Sequence, residues 1–504
     1  MIEPRYIVWS IMFTLVFIGV VLADIRRRLS ITFRIAAYLT PLVLVALNVL
    51  GFDRSLDWMQ IPFILLGVLV SIAISAHSEN YHRILIGFLR PIQLPLDSTL
   101  VMLIAFFMAR NLIELAVLWI FIELVCLFMI AFTGTSEARK AAFTFLVICA
   151  ATGDISLFTW IALTALHIGI DKALLSDFTI LAQSNIAADV PLITFLLMIG
   201  FLTKMAMVPL HFWLPDAYTE APAPVSAMLS GLASKMGLYG LLRIYSTVTL
   251  DVTTFTYITV IMGFITAVYG STMASGQVDV KRLLAYSSMS HYGTMIILLG
   301  LVPFSPIALN ALFIYAIFHG IAKTCLFLNS GSIELIANTR SIYDLGYLAK
   351  VDKDLFKYAL VSALSLTGMP PTLGFVAKAL AFYVAIASAV EGHIVGFIAL
   401  LGLTVSSVFS LLYSTKYIGA YIGSYRVRVV QPLPIPLTTL KSCEALLALA
   451  LLVFPLLAIV FTLNLILPLL LVYAASLSVL FTLILQKRVR IIREEELWLG
   501  GLKP

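Results

Sequence analysis

Five charged side chains stand near the centres of long apolar segments, where charge is least tolerated: Glu123, Lys204, Lys235, Lys323 and Lys378. A charge at the centre of a bilayer costs about 2.5–3.5 kcal/mol on insertion scales, so a chain that carries five is using them. The chemistry open to these groups is proton exchange. All four cations are lysines, and a buried lysine can release its proton where arginine would stay charged. Glu123 lies deep in its apolar segment (WIFIELV, 119–125) and needs a cation nearby, for which Lys204 is the candidate. An opposite charge favours ionisation of both partners and burial opposes it, so a small change of geometry can switch such a pair. His319 precedes Lys323 by one helical turn, which places both on one face. His291 on another apolar segment and His211 beyond Pro209 add imidazoles, which titrate near neutral pH. For each residue a plainer reading stands beside this one: a carboxyl kept protonated, a lysine or histidine that only donates hydrogen bonds, or a stem that snorkels.

The elements that position these residues are membrane spans. Of 504 residues 61% are hydrophobic and 12% charged, with a mean hydropathy of +1.06. An ordinary soluble domain is about 25% charged, so a soluble enzyme is excluded. The apolar segments are long enough to cross about 30 Å of hydrocarbon. The fold class is therefore an all-α polytopic membrane protein with about 14–15 transmembrane helices, placed at 6–23, 32–50, 58–76, 97–110, 112–133, 139–166, 189–209, 223–247, 253–274, 283–301, 306–330, 355–388, 394–422, 443–461 and 464–486. The first run leads into Asp24–Arg28 rather than a small-residue cleavage site, and so reads as a retained span. The four cysteines are scattered through apolar segments without metal-ligand spacing and read as buried thiols.

Loop charge orients the map. One alternate set of loops carries Arg26–Arg28, Arg34, Arg83, Arg90, Arg139, Lys140, Lys281, Arg282, Arg340, Lys350, Lys353, Lys357, Arg426, Arg428, Lys441 and the run Lys487–Arg493. The other set holds Arg5, Arg54 and Lys172. This asymmetry assigns the first set and the C-terminal tail to the cytoplasm of a cell (inner) membrane, with the net charge of +6 serving orientation rather than nucleic acid.

An internal echo relates two of the lysines. GFLTK (200–204) and GFVAK (374–378) share Gly-Phe-x-x-Lys, each beside a helix breaker: Pro209 after the first, Gly368–Pro371 before the second. They lie in the seventh and twelfth spans, an odd separation that turns equivalent segments to opposite orientations, as in inverted-repeat transporters. Phosphate loops, paired cysteines and haem or metal spacing are missing from the sequence. We therefore expect no cofactor, no metal and no redox active site in this chain.

The run GFLTKMAMVPLHFWLPDAYTEAPAPVSAMLSG (200–231), followed by Lys235, resembles the signature of antiporter-like membrane subunits. That family serves respiratory complex I, group 4 membrane-bound hydrogenases and multisubunit cation/proton antiporters. Trp119–Glu123, AYSSMSH (285–291), FHGIAK (318–323) and GMPPTLGFVAK (368–378) carry the likeness across about residues 100–425. The resemblance implies two inverted five-helix repeats with broken seventh and twelfth helices. The corresponding division is 1–96 (first three helices), 97–247 and 253–422 (two half-channels), and 423–504 (last helices and tail). It further implies a Glu123–Lys204 pair, central Lys235 and Lys323, and a terminal Lys378, where some members carry glutamate. With His291 and His319 these make up the expected relay. The absence of a long amphipathic lateral helix points to a middle-type subunit.

The expected function is translocation of protons, alone or coupled to sodium, in a larger redox-driven complex of the dehydrogenase or hydrogenase type, or in an antiporter complex. The expected partners are other membrane subunits, H+ or Na+, and the lipid bilayer. Two alternatives stay open: a structural membrane subunit whose charges only hold helices together, and a self-sufficient secondary transporter.

Overall fold

In lipid each backbone polar group must be paired within the protein, and a long apolar segment meets that demand as a helix. The computed structural model describes residues 3–52, 56–86, 90–346, 348–423 and 438–460. Helices α1 (Pro4–Val21), α2 (Arg27–Leu39), α3 (Pro41–Val49), α4 (Gln60–Ile86) and α5 (Arg90–Phe107) open the chain. They are followed by α6 (Leu112–Ile130), α7 (Ser136–Ile168), the short α8 (Ile170–Leu175) and α9 (Phe178–Gln183), and strand β1 (Ile186–Ala188). Next come α10 (Pro191–Lys204), α11 (Trp213–Glu220), α12 (Ala223–Met228), α13 (Ser234–Thr247) and strand β2 (Val248–Leu250). The remainder comprises α14 (Val252–Gly276), α15 (Val280–Gly300), α16 (Pro306–Ala337), α17 (Leu348–Val351), α18 (Lys353–Thr367), α19 (Leu373–Val390), α20 (Ile394–Ile422) and α21 (Thr438–Val460).

Ten helices of the described residues are long and apolar enough to cross a membrane, and Ile92–Phe107 and α10 are shorter apolar helices. The all-α membrane fold read from hydropathy is the one observed. Each expected span through 443–461 coincides with a helix or a helix pair; the span 464–486 and the tail lie outside the described residues. Helix ends differ from hydropathy ends. The third span continues to Ile86, the fourth starts at Arg90, and the fourteenth starts at Thr438. Across the first two of those extensions Ser78 Oγ donates to Gln93 Oε1 at 2.7 Å and Gln93 Nε2 to Asp97 Oδ2 at 2.8 Å.

Interhelical contacts sort the loops into two sets. In one, Arg83 donates to Ala23 O at 2.6 Å, Arg340 to Thr219 O at 2.9 Å, Arg282 meets Asp216 at 3.1 Å, and Lys441 pairs with Asp352. In the other, Arg5 meets Glu114 at 2.7 Å, Arg243 meets Asp57 at 2.6 Å, Arg110 pairs with Asp177, and β1 lies parallel to β2. Helix starts on both sides are capped: Thr135, Asp251, Asp279 and Asp352 accept from first-turn backbone N–H groups. Between the two loop layers, every residue from Ala223 to Ile244 is buried. Most of α16 is buried as well. These two central segments carry Lys235 and Lys323.

Candidate functional site

Glu123 projects from the middle of α6 toward the last residue of α10, and Lys204 Nζ donates to Glu123 Oε1 at 3.0 Å. Both side chains are almost fully shielded, 2% and 4% exposed. The ammonium also lies 4.8 Å from the Phe145 ring centroid and 5.3 Å from that of Trp119, distances at which an aromatic face attracts a cation. The helix stops at Lys204 and resumes at Trp213, with Ala206 in the left-handed region (φ 50°) and Pro209 contributing no N–H. The interruption is satisfied from within: Trp213 Nε1 donates to Thr203 O at 3.1 Å, and Val208 N to Thr266 Oγ1 at 3.0 Å. Gly200 lets α10 close on α7. A Cβ there would run into Thr152 O, and its own N–H donates to Ser156 Oγ at 2.7 Å.

Lys235 follows a π-helical turn, Leu229–Ala233. Extra-wide turns of this kind are frequent at functional sites. The turn offers its carbonyls sideways: Ser230 O accepts from Lys235 Nζ at 2.7 Å and Leu229 O from Tyr218 OH at 3.0 Å. Lys235 Nζ also lies 2.8 Å from His319 Nδ1. The His319 ring stands 5.2 Å from that of His291. His291 uses both nitrogens, Nδ1 with Tyr315 OH at 2.8 Å and Nε2 with Tyr413 OH at 3.0 Å. Ser410, one turn before Tyr413 on α20, accepts from Lys378 Nζ at 2.8 Å. Lys378 sits on the second turn of α19, after the interruption Gly368–Thr372. Gly368 adopts φ 82°, and a Cβ there would meet Lys378 Cδ at 2.7 Å, so this glycine leaves room for the lysine stem.

The expected residues therefore gather in two groups. Glu123 and Lys204 form the first. Lys235, His319, His291 and Lys378 form the second, with the hydroxyls of Tyr413 and Ser410 between His291 and Lys378. Lys323 donates to Ser287 Oγ and, at 3.2 Å, to Leu284 O, with its ammonium 5.9 Å from the Tyr413 ring. Among the described residues no hydrogen bond joins Lys204 to Lys235. On the Lys235 side Tyr218 OH meets Tyr292 OH at 3.2 Å, and Tyr292 OH reaches Ser230 O at 3.2 Å. His211 stays outside both groups, part-exposed beside Tyr269. All seven of Glu123, Lys204, Lys235, His291, His319, Lys323 and Lys378 are buried.

Sequence reasoning missed the hydroxyl partners Tyr218, Tyr292, Tyr315, Tyr413 and Ser410, since a tyrosine in a membrane helix carries no mark of its role. It also missed two buried acidic sites. In the first, Glu79 receives Arg34 at 2.5 Å and Arg27 at 2.6 Å, while Asp97 receives Arg34 at 3.3 Å and Tyr38 OH at 2.8 Å. The second is Glu444 on α21. Glu79 lies one turn beyond the expected third span, whereas Asp97 and Glu444 fall at the edges of theirs, where a carboxylate passes for an interfacial group.

The family described as NADH:quinone oxidoreductase/Mrp antiporter, TM, matches residues 109–410. An NAD(P)H-quinone oxidoreductase chain 4 from Picosynechococcus sp. is 32% identical over 316 residues, 61% of this chain and 56% of that protein. NADH-quinone oxidoreductase subunit M of Pseudomonas aeruginosa is 30% identical over 320 residues, 61% of each chain. This chain thus spans less than two thirds of the length of either relative. Two solved structures share the fold. A chain of the archaeal membrane-bound sulfane sulfur reductase superposes with a TM-score of 0.73 at 24% identity, covering 88% of this chain and 75% of that one. A chain of the Mrp complex from Dietzia sp. DQ12-45-1b gives 0.70 at 21%, covering 89% and 94%. The match takes in well over half of the 504 residues and includes the whole run Gly200–Gly231, so this multi-pass membrane protein belongs to the NADH:quinone oxidoreductase/Mrp antiporter family.

Proposed function

We propose that this chain is a proton-translocating, antiporter-like subunit of a larger membrane complex in the cell membrane, working with neighbouring membrane subunits. The observation that carries the reading is the buried line of exchangeable groups in which Lys235 meets His319, the His319 ring stands 5.2 Å from that of His291, His291 meets Tyr413, and Lys378 meets Ser410 one turn from Tyr413, with the Glu123–Lys204 pair as a separate buried group. In this scheme Glu123, Lys204, Lys235, His291, His319, Lys323 and Lys378 are the stations. A proton arriving at one lysine repels charge on the next and opens or closes the Glu123–Lys204 pair. The interruptions at Met205–Phe212 and Gly368–Thr372 admit water to the two ends of the relay. Residues 97–247 and 253–422 act as two half-channels in inverted orientation. This assignment draws support from the matched glycines: Gly200 and Gly374 each press on a backbone carbonyl, of Thr152 and of Ser365, and each N–H donates to a serine hydroxyl.

The test uses vesicles holding the assembled complex, with ΔpH formation followed by quenching of an acridine dye. Glu123→Gln and Lys204→Met are expected to bring the rate to that of vesicles lacking the complex while assembly stays normal. Normal transport in either variant ends the proposal. Loss of assembly with normal transport per assembled complex favours the role of structural glue instead. Replacing external Na+ by K+ separates proton transport from sodium-coupled exchange, since only the latter slows.

A further inference from the structure

Ser410, Tyr413, Tyr417 and Tyr421 recur at helical spacing along one face of α20. The inner end of this stripe belongs to the relay, through Lys378 and His291. The outer end leads elsewhere. Tyr417 OH and Tyr421 OH both donate to Asn329 Oδ1, at 2.8 and 2.7 Å. On its other side Asn329 Nδ2 donates to Glu444 Oε2 at 2.7 Å, and Ser332 Oγ donates to Glu444 Oε1 at 2.8 Å. Glu444 is fully buried, two turns inside α21.

Its surroundings set Glu444 apart. Of the buried acids, Glu79, Asp97 and Glu123 each meet an arginine or lysine. Both oxygens of Glu444 are held by neutral donors, and among the described residues no cation pairs with it. Lys441, one turn nearer the helix start, is taken by Asp352. An unpaired buried charge is costly, so a carboxyl so placed is suited to carrying a proton rather than balancing a fixed charge. A small cavity touches both Asp352 and Tyr421, and so lies between the part-exposed Asp352–Lys441 pair and the outer end of the stripe. Cys325, two residues from Lys323 on α16, donates its thiol to Glu444 O at 3.6 Å, which places the acid beside the central lysine helix.

We propose that Glu444 is the proton-exchange carboxyl of the second half-channel, joining the stripe on α20 to the loop face that bears Asp352 and Lys441. Asn329 is a positioning residue that fixes the two tyrosine hydroxyls and the carboxyl around one side chain. In each transfer the carboxylate takes up one proton and later releases one. Because Asn329 stands between the carboxyl and the two hydroxyls, the proton crosses on water admitted beside that side chain, each water or hydroxyl giving up one proton as it accepts another, and no other bond changes. This assignment rests on the proton-translocating reading above.

The experiment compares Glu444→Gln and Glu444→Asp with the controls Glu123→Gln and Lys204→Met in vesicles holding the assembled complex. Glu444→Gln is expected to slow ΔpH formation by about a hundredfold, the scale on which a single proton-transfer group contributes. Glu444→Asp restores most of the rate. A wild-type rate in Glu444→Gln while the controls stay inactive overturns the role of Glu444 and leaves the relay standing. Wild-type rates in the controls overturn the relay itself, and this assignment with it. If Glu444→Gln does not assemble, the wild-type complex decides the matter with dicyclohexylcarbodiimide, which adds to protonated carboxyls in apolar surroundings. Mass spectrometry is expected to find the adduct on the peptide bearing Glu444, less at alkaline pH. An unmodified Glu444 overturns the proposal.

Discussion

Lys235 and His319 meet at 2.8 Å, a separation at which two protonated nitrogens cannot face each other. The contact holds one proton between them: an ammonium donates to a neutral imidazole, or an amine accepts from a protonated one. Lys204 differs, because its partner is a carboxylate oxygen. The distinction between holding a charge and passing a proton can be tested at that residue. Lys204→Arg keeps a cation against Glu123 but cannot release its proton. We expect this variant to assemble normally and to transport no faster than Lys204→Met in the dye-quenching assay; transport near the wild-type rate would mean that the pair serves as glue. The buried charged residues were legible in the sequence because ionisable groups inside apolar runs are rare. Their partners were not. Tyr413, Ser410 and Ser287 are ordinary residues of membrane helices, and only the packing of α20 and α15 around the lysines gives them a place in the proposed relay.

The two interruptions do mechanical work at the scale of helices. Each leaves a lysine beside unwound backbone: Lys204 at the end of α10, and Lys378 soon after the start of α19. The glycine four residues before each lysine sets the approach of the neighbouring helix, as a Cβ at Gly200 or Gly374 would penetrate a carbonyl of α7 or α18. Overpacking of this kind costs about 1–3 kcal/mol, occasionally more. Gly200→Val and Gly374→Val are accordingly expected to lower the amount of assembled complex seen on native gels, the contact being with backbone that cannot turn aside. Normal assembly of both would show that the helices have slack at these points. Pro209 and Gly368–Pro371 lie in the segments between α10 and α11 and between α18 and α19, where residues that oppose helix are expected. The π-helical turn Leu229–Ala233 was invisible, because adding one residue to a turn changes neither composition nor hydropathy. Glu79 was hidden for a related reason: hydropathy ends the third span at residue 76, whereas α4 continues through it to Ile86. Asp97 and Glu444 stand near the ends of their expected spans, where a carboxylate passes for an interfacial group.

For the molecule as a whole, the two loop sets define two faces, and the helices between them fix which loops share a side. The contacts group Ala23 with Arg83, Thr219 with Arg340 and Asp352 with Lys441, which is the grouping that loop charge suggested from sequence alone. Charge could order the loops because each crossing reverses the chain, so one error in the count would have scattered the basic residues over both faces. It does not reveal the N-terminal cluster of Arg27, Arg34, Glu79 and Asp97, whose charges cancel locally and tie α2, α4 and α5 together. The absolute direction of the two faces is open to a direct measurement on α7. This helix of 33 residues is about 50 Å long at 1.5 Å per residue, more than the hydrocarbon thickness, so its ends must emerge on opposite faces. Glu137 and Lys172 mark those ends and are both exposed, while all four native cysteines are buried and give little background. Glu137→Cys is expected to react with a membrane-impermeant maleimide only when the cytoplasmic surface is accessible, and Lys172→Cys only from the opposite surface, as the basic loops require. The reversed pattern would invert the whole map and direct the Glu444 branch to the outer surface. Labelling of both cysteines from one side would refute α7 as a crossing.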